Sequence, residues 1–170
     1  MHIEKIELQN FRNYKNLELE FSKNVNLILG KNAQGKTNLL EAVYLTAIGR
    51  SFRTSKDLEL VKFNENNAIV KVWAEKELNS TTVEISIKRK GEKSSEKFIK
   101  KDRKNVTKTS QLLKNILIVI FSPEDLKIVK DEPEKRRKFI DRELSQISPK
   151  YYNSLSNYKK SLLQRNTYLK

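Results

Sequence analysis

Residues 30–37 read Gly30-Lys31-Asn32-Ala33-Gln34-Gly35-Lys36-Thr37, which is a complete G-x-x-x-x-G-K-[ST] loop. The preceding residues 25–29 form a short, mostly apolar run that predicts a strand. Residues 37–48 carry apolar side chains at helical spacing, which predicts a helix that ends at Gly49. Only four glycines occur in the 170 residues, and two of them occupy the two required positions of the loop. Strand, glycine loop and helix in this order predict a site for a nucleoside triphosphate.

Each residue type in the loop suits phosphate chemistry. Gly30 and Gly35 allow backbone conformations in which successive N–H groups face phosphate oxygens, and the positive end of the following helix adds to the same pocket. Lys36 is expected to act as the catalytic cation between the β- and γ-phosphates, and the Thr37 hydroxyl is expected to bind Mg²⁺. The other expected nucleotide-binding positions are Lys31, Asn32, Ala33 and Gln34. The alternative is a strand-to-helix turn without a ligand, but such a turn does not require Lys36 and Thr37 at these positions.

Composition narrows the class of protein. The formal net charge is +14, from 35 lysines and arginines against 21 acids, which favours nucleic acid or another polyanion as a partner; solubility alone is the alternative. The absence of cysteine excludes disulfides, zinc thiolates and thiol nucleophiles, and the one histidine, His2, is too close to the terminus to suggest catalysis. No apolar stretch approaches the ~20 residues of a membrane span, so we expect a cytoplasmic location without membrane contact.

Apolar side chains in strand-like patterns predict further strands. They lie at residues 3–8, 17–21, 68–75, 82–88 and 116–121. The first two flank a polar turn and predict an antiparallel hairpin, whereas 116–121 is continuously apolar, as expected of a buried central strand. The lysine-rich segment 88–108 predicts an edge hairpin and loop. Ser122-Pro123-Glu124-Asp125 predicts the start of a helix.

The last stretch predicts another helix that begins at Ser148-Pro149. Its seam is Tyr151, Leu155, Tyr158, Leu162, Arg165 and Leu169, at alternating spacings of four and three. Because the seam spans under three heptads, a coiled coil and a plain amphipathic helix both remain open. The helix reaches the last residue without a stop signal, so we expect its seam to need a partner outside this chain.

A hydrolytic carboxylate is not evident. P-loop hydrolases hold Mg²⁺ and orient water with an acid at the end of a later strand. Residues 116–121 lead instead into Ser122-Pro123, and Glu124 and Asp125 are expected to be helix-cap charges. We therefore expect the chain to be the front part of a longer protein and to hydrolyse nucleotide negligibly on its own.

Several segments resemble known families. Residues 6–14 (Ile-Glu-Leu-Gln-Asn-Phe-Arg-Asn-Tyr) and 26–42 around the glycine loop resemble the opening of the SMC-type ABC ATPases. Residues 49–54 (Gly-Arg-Ser-Phe-Arg-Thr), 121–126 (Phe-Ser-Pro-Glu-Asp-Leu) and 136–141 (Arg-Arg-Lys-Phe-Ile-Asp) resemble the bacterial RecF recombination mediators within that group. The resemblance covers nearly the whole chain.

The resemblance implies an α/β fold, namely the N-terminal lobe of an ABC-type P-loop ATPase head with a mixed β-sheet and an antiparallel β subdomain. Residues 1–145 would form this partial head, and residues 146–170 would begin a helical, coiled-coil-like arm. In such families the signature motif and the Walker B acids lie beyond the arm, outside this sequence.

The resemblance also implies a mechanism. Two heads would form a homodimer around two ATP molecules and close on single-stranded or gapped DNA, and weak DNA-dependent hydrolysis would release it. RecF-like proteins act with RecR and RecO to load RecA in DNA repair, replication restart and the SOS response. Arg12, Arg50 and Arg53 are expected near the nucleotide or DNA, with surface or interdomain salt bridges as the alternative.

Two other classes remain open on the residues alone. A P-loop kinase or GTPase would show lid arginines or a base-reading N-K-x-D motif, and the sequence shows neither. A basic DNA-binding module could use the loop only structurally. Replacing Lys36 separates the ATPase from the DNA-binding module, because the replacement should abolish nucleotide binding in the former and leave DNA binding unaffected in the latter.

Overall fold

The computed structural model describes residues 1–76, 79–108, 111–113, 115–121 and 132–169. The chain divides into two compact units, Met1–Ile116 and Leu117–Lys170. The first unit contains a β-sheet and the helix that follows the glycine loop, and the second contains two helices. Within the described ranges, no helix has the length and apolar character needed to cross a membrane.

A six-stranded sheet forms the body of the first unit. Its strands are β1 (His2–Phe11), β2 (Tyr14–Glu20), β3 (Asn67–Lys76), β4 (Asn79–Arg89), β5 (Ser95–Lys101) and β6 (Lys104–Asn105). They lie in the order β2-β1-β3-β4-β5-β6, and every neighbouring pair is antiparallel. Sequential strands are therefore neighbours, except that β3 pairs with β1, on the side of β1 opposite to β2.

One face of the sheet is buried because apolar and polar side chains alternate along its strands. Ile6 lies opposite Val72, and Val70 lies opposite Ile85, so apolar side chains align across three strands. The buried side chains of β1, β3 and β4 are Ile6, Leu8, Phe11, Ala68, Val70, Val72, Ala74, Val83, Ile85 and Ile87. The other face is solvated and carries mixed charges. There the ammonium of Lys71 lies 4.4 Å from the ring centre of Trp73.

Helix α1 (Lys36–Ile48) contacts β1, β3 and β4. Leu39 and every residue from Glu41 to Ile48 are buried, so nearly the whole circumference of the helix is covered. Gly49 ends the helix in the left-handed region (φ 81°), where its N–H donates to Leu45 O at 2.7 Å. A short 3₁₀ turn, Asp57–Leu60, follows. The predicted helix and its glycine stop are confirmed.

Most predicted strands are confirmed. The hairpin of β1 and β2 pairs Leu8 with Leu17 and Ile6 with Leu19, and its turn is shorter than expected, because the strands continue to Phe11 and from Tyr14. Strands β3 and β4 contain the predicted segments 68–75 and 82–88. The expected edge hairpin is β5 with β6, within residues 88–108.

Two predicted strands are wrong. Residues 25–29 and 116–121 form no ladder with any strand among the described residues. Val25, Leu27 and Leu29 are at least 78% exposed, and Leu117, Val119 and Phe121 are also exposed. An apolar run becomes a strand only where another backbone supplies its hydrogen bonds, and no described strand pairs with either run. The resemblance implied a mixed sheet, whereas every described ladder is antiparallel.

The second unit contains α2 (Pro133–Ile147) and α3 (Pro149–Tyr168). Ser148 links them: its N–H donates to Leu144 O at 2.9 Å, and its hydroxyl oxygen accepts from Tyr151 N–H at 3.2 Å. The predicted start at Ser148-Pro149 is confirmed. Helix α2 was not predicted, because its first half is almost entirely charged and lacks an apolar period. The predicted helix start at 122–125 lies outside the described residues.

The predicted seam of α3 is only partly covered. Tyr151, Leu155 and Leu162 are half-buried, and the Tyr151 hydroxyl donates to Asp141 Oδ1 at 2.6 Å. This bond is the main cause of the raised pKa of Tyr151. The other three seam residues, Tyr158, Arg165 and Leu169, are exposed.

Replacing Ile85 tests the buried sheet face. Ile85 is fully buried between Val70 and Ile99 on the adjacent strands. We expect Ile85→Ala to lower the free energy of unfolding by about 3 kcal/mol, because it leaves a cavity in the core. Urea denaturation measures the loss. Ser86→Ala, on the opposite face of the same strand, should change stability by less than about 0.5 kcal/mol; equal losses in the two variants would contradict this arrangement.

Candidate functional site

The glycine loop leads directly into the N-terminus of α1. Gly35 occupies the N-cap position with φ 105° and ψ 3°, in the left-handed region, and no side chain caps this end of the helix. The first backbone hydrogen bond of the helix runs from Leu39 N–H to Gly35 O, at 3.0 Å. The N–H groups of the three preceding residues, 36–38, therefore have no acceptor within the helix. With no acid in its first turn, this end of α1 remains electropositive.

Glycine is required at position 35 by close approach as well as by conformation. A Cβ there would lie 2.6 Å from Asn13 Nδ2 and 2.9 Å from Tyr14 Oη. These two side chains bind the loop: Asn13 Nδ2 donates to Gln34 O at 3.1 Å, and Tyr14 Oη donates to Gly35 O at 3.2 Å. Burial against the loop raises the pKa of Tyr14. The turn between β1 and β2 is therefore packed onto the second half of the glycine loop.

The other residues of the loop are exposed, and the Lys36 side chain forms hydrogen bonds to the start of the loop. Lys36 Nζ donates to Gly30 O at 2.6 Å and to Lys31 O at 2.8 Å. The ammonium group thus lies over the first residues of the loop, five and six positions back along the chain. Asn32, Ala33 and Gln34 are exposed, as is Thr37 in the first turn of α1. The structure brings all eight predicted loop residues into one short, solvent-accessible turn.

A buried ion cluster lies on the second turn of α1. Glu41 is fully buried and accepts two bonds from Arg12, from Nε at 2.9 Å and from Nη2 at 2.7 Å. The Ser51 hydroxyl donates to Glu41 Oε1, and Arg53 Nη1 lies 3.3 Å from Oε2. Burial alone would raise the pKa of Glu41, but the hydrogen bonds from Arg12 and Ser51, with the charges of Arg12 and Arg53, outweigh burial and lower it.

Hydrogen bonds connect this cluster to the glycine loop. Arg53 Nη1 donates to Asn38 Oδ1 at 2.7 Å, and Asn38 Nδ2 donates to Asn13 Oδ1 at 2.8 Å. Asn13 in turn donates to the loop at Gln34 O. Of the three arginines singled out in the sequence, the structure brings Arg12 and Arg53 together on Glu41. The third, Arg50, is exposed and makes none of these contacts.

A groove of about 560 Å³ adjoins the cluster. It is lined by Arg12, Asn13, Asn38, Arg53, Leu58, Glu59, Val61, Phe63 and Arg89. Three guanidinium groups and the side chain of Phe63, which is 85% exposed, give it a basic and aromatic character. Asn13 and Asn38 belong both to this groove and to the hydrogen-bond chain that reaches the loop. The groove therefore continues the loop site along the first turn of α1.

Sequence reasoning missed Glu41, Asn13 and Asn38. Glu41 had a usable signal, since it is the one charged residue within residues 39–48, a segment that is otherwise apolar except for Thr46. A lone acid among buried positions needs a cationic partner. The two asparagines had no such signal, because asparagine is common in turns and helix ends and only the fold brings them into contact.

Comparisons with known proteins agree with this geometry. Residues 5–168 match the family described as AAA domain. The chain is 48% identical over 170 residues to the DNA replication and repair protein RecF of Clostridium tetani (strain Massachusetts / E88), which covers 100% of this chain and 45% of that protein. The chain thus spans about half the length of the curated relatives that it matches.

Solved structures match the fold. A structure of the recombination mediator protein RecF with ATP in the RecFOR pathway has a TM-score of 0.89 and 42% identity, and the match covers 99% of this chain and 44% of that one. A structure from work on ATP-driven dimerization and DNA-stimulated activation of SMC ATPases has a TM-score of 0.62 at 23% identity, covering 87% of this chain and 100% of that one. At that identity only the fold is shared. The expected α/β fold, the N-terminal lobe of a RecF- and SMC-type ATPase head, is confirmed.

Replacing Gly35 tests the packing of the turn against the loop. Gly35→Ala introduces a Cβ that collides with Asn13 and adds the strain of a left-handed non-glycine residue, about 1–2 kcal/mol. Gly91→Ala is the matched control, because Gly91 also has positive φ (88°) but nothing lies within 4 Å of its Cβ position. We expect Gly35→Ala to lower the free energy of unfolding by at least about 1 kcal/mol more than Gly91→Ala. Equal effects in thermal denaturation would exclude the close contact.

Proposed function

Since the chain belongs to the AAA domain family and matches the N-terminal part of RecF proteins along its whole length, we propose that it is the ATP-binding part of a DNA replication and repair protein. The observation that supports this most directly is the glycine loop itself. Its Lys36 ammonium lies over the loop, and it leads into a helix whose first N–H groups have no side-chain cap. A phosphate chain is the ligand that such an electropositive turn fits.

The residues present suit a triphosphate. The N–H groups of residues 36–38 and the backbone around Gly30 and Gly35 would bind phosphate oxygens. Lys36 would exchange its bonds to Gly30 O and Lys31 O for bonds to phosphate oxygens, which satisfy an ammonium group better than neutral carbonyls do. Lys31, Asn32, Ala33 and Gln34 would line the phosphates from the exposed side of the loop.

Mg²⁺ is the metal that this site would take with ATP, where it would neutralise phosphate charge. Thr37 lies in the first turn of α1 and is exposed, so its hydroxyl oxygen is free to act as a hard ligand. The chain also contributes orientation. Through Glu41, the bonds from Arg12 and Ser51 join α1 to the end of β1 and to the segment after α1 before any ligand binds.

The basic residues have two proposed roles. Arg12 and Arg53 line the groove that continues the loop site, so we assign both to the nucleotide site, Arg53 as a direct contact and Arg12 through its bonds to Glu41. Arg50 is exposed and takes no part in the contacts with Glu41, and we assign it to DNA. Further cations suited to DNA phosphates lie on α3, where Lys150, Lys159, Lys160 and Arg165 occur with no acid in the helix.

In a protein of the length of the RecF relatives, residues 1–145 would belong to the ATPase head and residues 146–170 to its arm. Two heads would then dimerise around ATP, and weak DNA-dependent hydrolysis would use acids outside the present sequence. Such a protein would work with RecR, RecO and RecA at gapped DNA, in repair, replication restart and the SOS response, in the cytoplasm. The match to a RecF–ATP structure in the RecFOR pathway supports this assignment.

Lys36→Ala tests the ATP site. We expect calorimetric titration of Mg·ATP into the chain to show binding, and the variant to bind about 100-fold more weakly, because charged bonds to phosphate are lost. Lys88→Ala, which removes an exposed lysine from β4, is the control and should bind as the unchanged chain does. Absence of binding by the unchanged chain, or equal binding by both variants, would contradict the proposed site.

DNA binding should be mainly electrostatic, given the net charge of +14. We expect the affinity for a fluorescent single-stranded or gapped oligonucleotide to fall at least about tenfold between 50 and 200 mM salt, because cations of the protein replace condensed counterions. Fluorescence anisotropy at several salt concentrations measures the slope. An affinity independent of salt would rule out phosphate neutralisation as the basis of binding.

A further inference from the structure

Glu41 is more buried than a charged residue usually is, and the positive charge of its partners exceeds its own negative charge. One carboxylate with no exposed surface faces two guanidinium groups and one hydroxyl. Arg12 alone would neutralise it through its two parallel bonds. The second cation, Arg53, therefore leaves one net positive charge on the cluster, at the edge of a groove that begins beside the glycine loop.

Arg53 is the member of the cluster that remains accessible. Its side chain is 44% exposed, against 18% for Arg12. Within the described part of the chain, only Nη1 of Arg53 has acceptors, namely Asn38 Oδ1 at 2.7 Å and Glu41 Oε2 at 3.3 Å. The N–H groups of its Nε and Nη2 are available to a ligand in the groove. Arg12, in contrast, uses all three of its nitrogens, because Nη1 also donates to Glu59 O at 2.9 Å.

The position of Arg53 depends on Glu41 because the chain around it is irregular. Residues 50–56 form neither helix nor strand, so no regular hydrogen bonding orients this side chain. Ser51 links the segment to Glu41 in a second way: its hydroxyl donates to the carboxylate and accepts from the backbone N–H groups of Arg53 (2.9 Å) and Thr54 (3.2 Å). Glu41 therefore holds both the side chain of Arg53 and, through Ser51, its backbone.

We propose that Glu41 is a positioning residue for nucleotide binding, which holds Arg53 beside Asn38 in the first turn of α1 so that its free N–H groups bind the nucleotide. This inference rests on the proposed ATP site. Asn38 follows Thr37 directly, so Arg53 lies next to the helix end where the phosphates would bind. A guanidinium with three free donors suits a phosphate or ribose oxygen at that place. Glu41 itself, being fully buried, touches no ligand.

A purely structural role for Glu41 makes a different prediction. In that case Glu41 would only join α1 to the end of β1 through Arg12, and its loss would lower stability without a specific effect on ATP. The two roles separate when affinity is measured at a temperature where every variant is folded. Ile85→Ala supplies a destabilised control, because Ile85 lies in the sheet core on β4 and makes none of the cluster's hydrogen bonds.

Calorimetric titration with Mg·ATP tests the inference. We expect Glu41→Gln, which keeps the shape but removes the charge, to weaken ATP binding about tenfold, whereas Ile85→Ala binds as the unchanged chain does. Glu41→Asp, which keeps the charge on a shorter side chain, should recover part of the affinity. In the Arg53→Ala background, Glu41→Gln should have little further effect, because both changes remove the same contact.

The outcomes separate this inference from the proposed function. If the unchanged chain binds ATP and Lys36→Ala does not, but Glu41→Gln binds normally, the ATP site stands and the positioning role is overturned. If the unchanged chain does not bind ATP, both are overturned. Should Glu41→Gln fail to fold, Arg53→Ala tests the nucleotide contact that the inference requires, because its partly exposed side chain can be removed without emptying the core. Unchanged affinity in that variant overturns the inference.

Discussion

A carboxylate buried inside a protein is costly unless charged donors surround it, and Glu41 is such a carboxylate in the middle of α1. Arg12 supplies two of the donors from the end of β1 and also binds the carbonyl of Glu59. Ser51 and Arg53 supply the others from the segment after α1. Segments that are distant in sequence therefore meet at a single side chain. Hydrogen bonds through Arg53, Asn38 and Asn13 connect it to the glycine loop, just over one helical turn away.

The close contact between Gly35 and the β1–β2 turn also fixes the position of the glycine loop. Asn13 and Tyr14 bind carbonyls of the loop, and a side chain at position 35 would displace them. Arg12 has a positive φ of 53°, which a non-glycine residue adopts at some cost, and its bonds to Glu41 offset that cost. The first hairpin thus acts as a support for the loop, and the sheet core holds the hairpin in place.

Residues with strong local signals were predictable. The hairpin, β3, β4 and α1 all follow from apolar periodicity, and Gly49 and Ser148-Pro149 mark helix ends by their own conformational preferences. Helix α2 was not predictable in this way, because a run such as Glu134 to Lys138 has no apolar face to detect. The apolar runs 25–29 and 116–121 show the opposite failure. Their composition suits a buried strand, yet pairing depends on a neighbouring backbone that composition does not reveal.

For the site, the amino-acid sequence by itself determined the glycine loop, because the positions of Gly30, Gly35, Lys36 and Thr37 follow from local backbone geometry and side-chain chemistry. It also singled out Arg12 and Arg53, but it did not identify the residue that they bind. Only the tertiary structure decided that both arginines meet on Glu41, that Arg50 does not, and that Asn13 and Asn38 connect them to the loop. These contacts join residues up to 29 positions apart, and which side chains meet over such separations depends on how sheet and helix pack, a property that no local pattern contains.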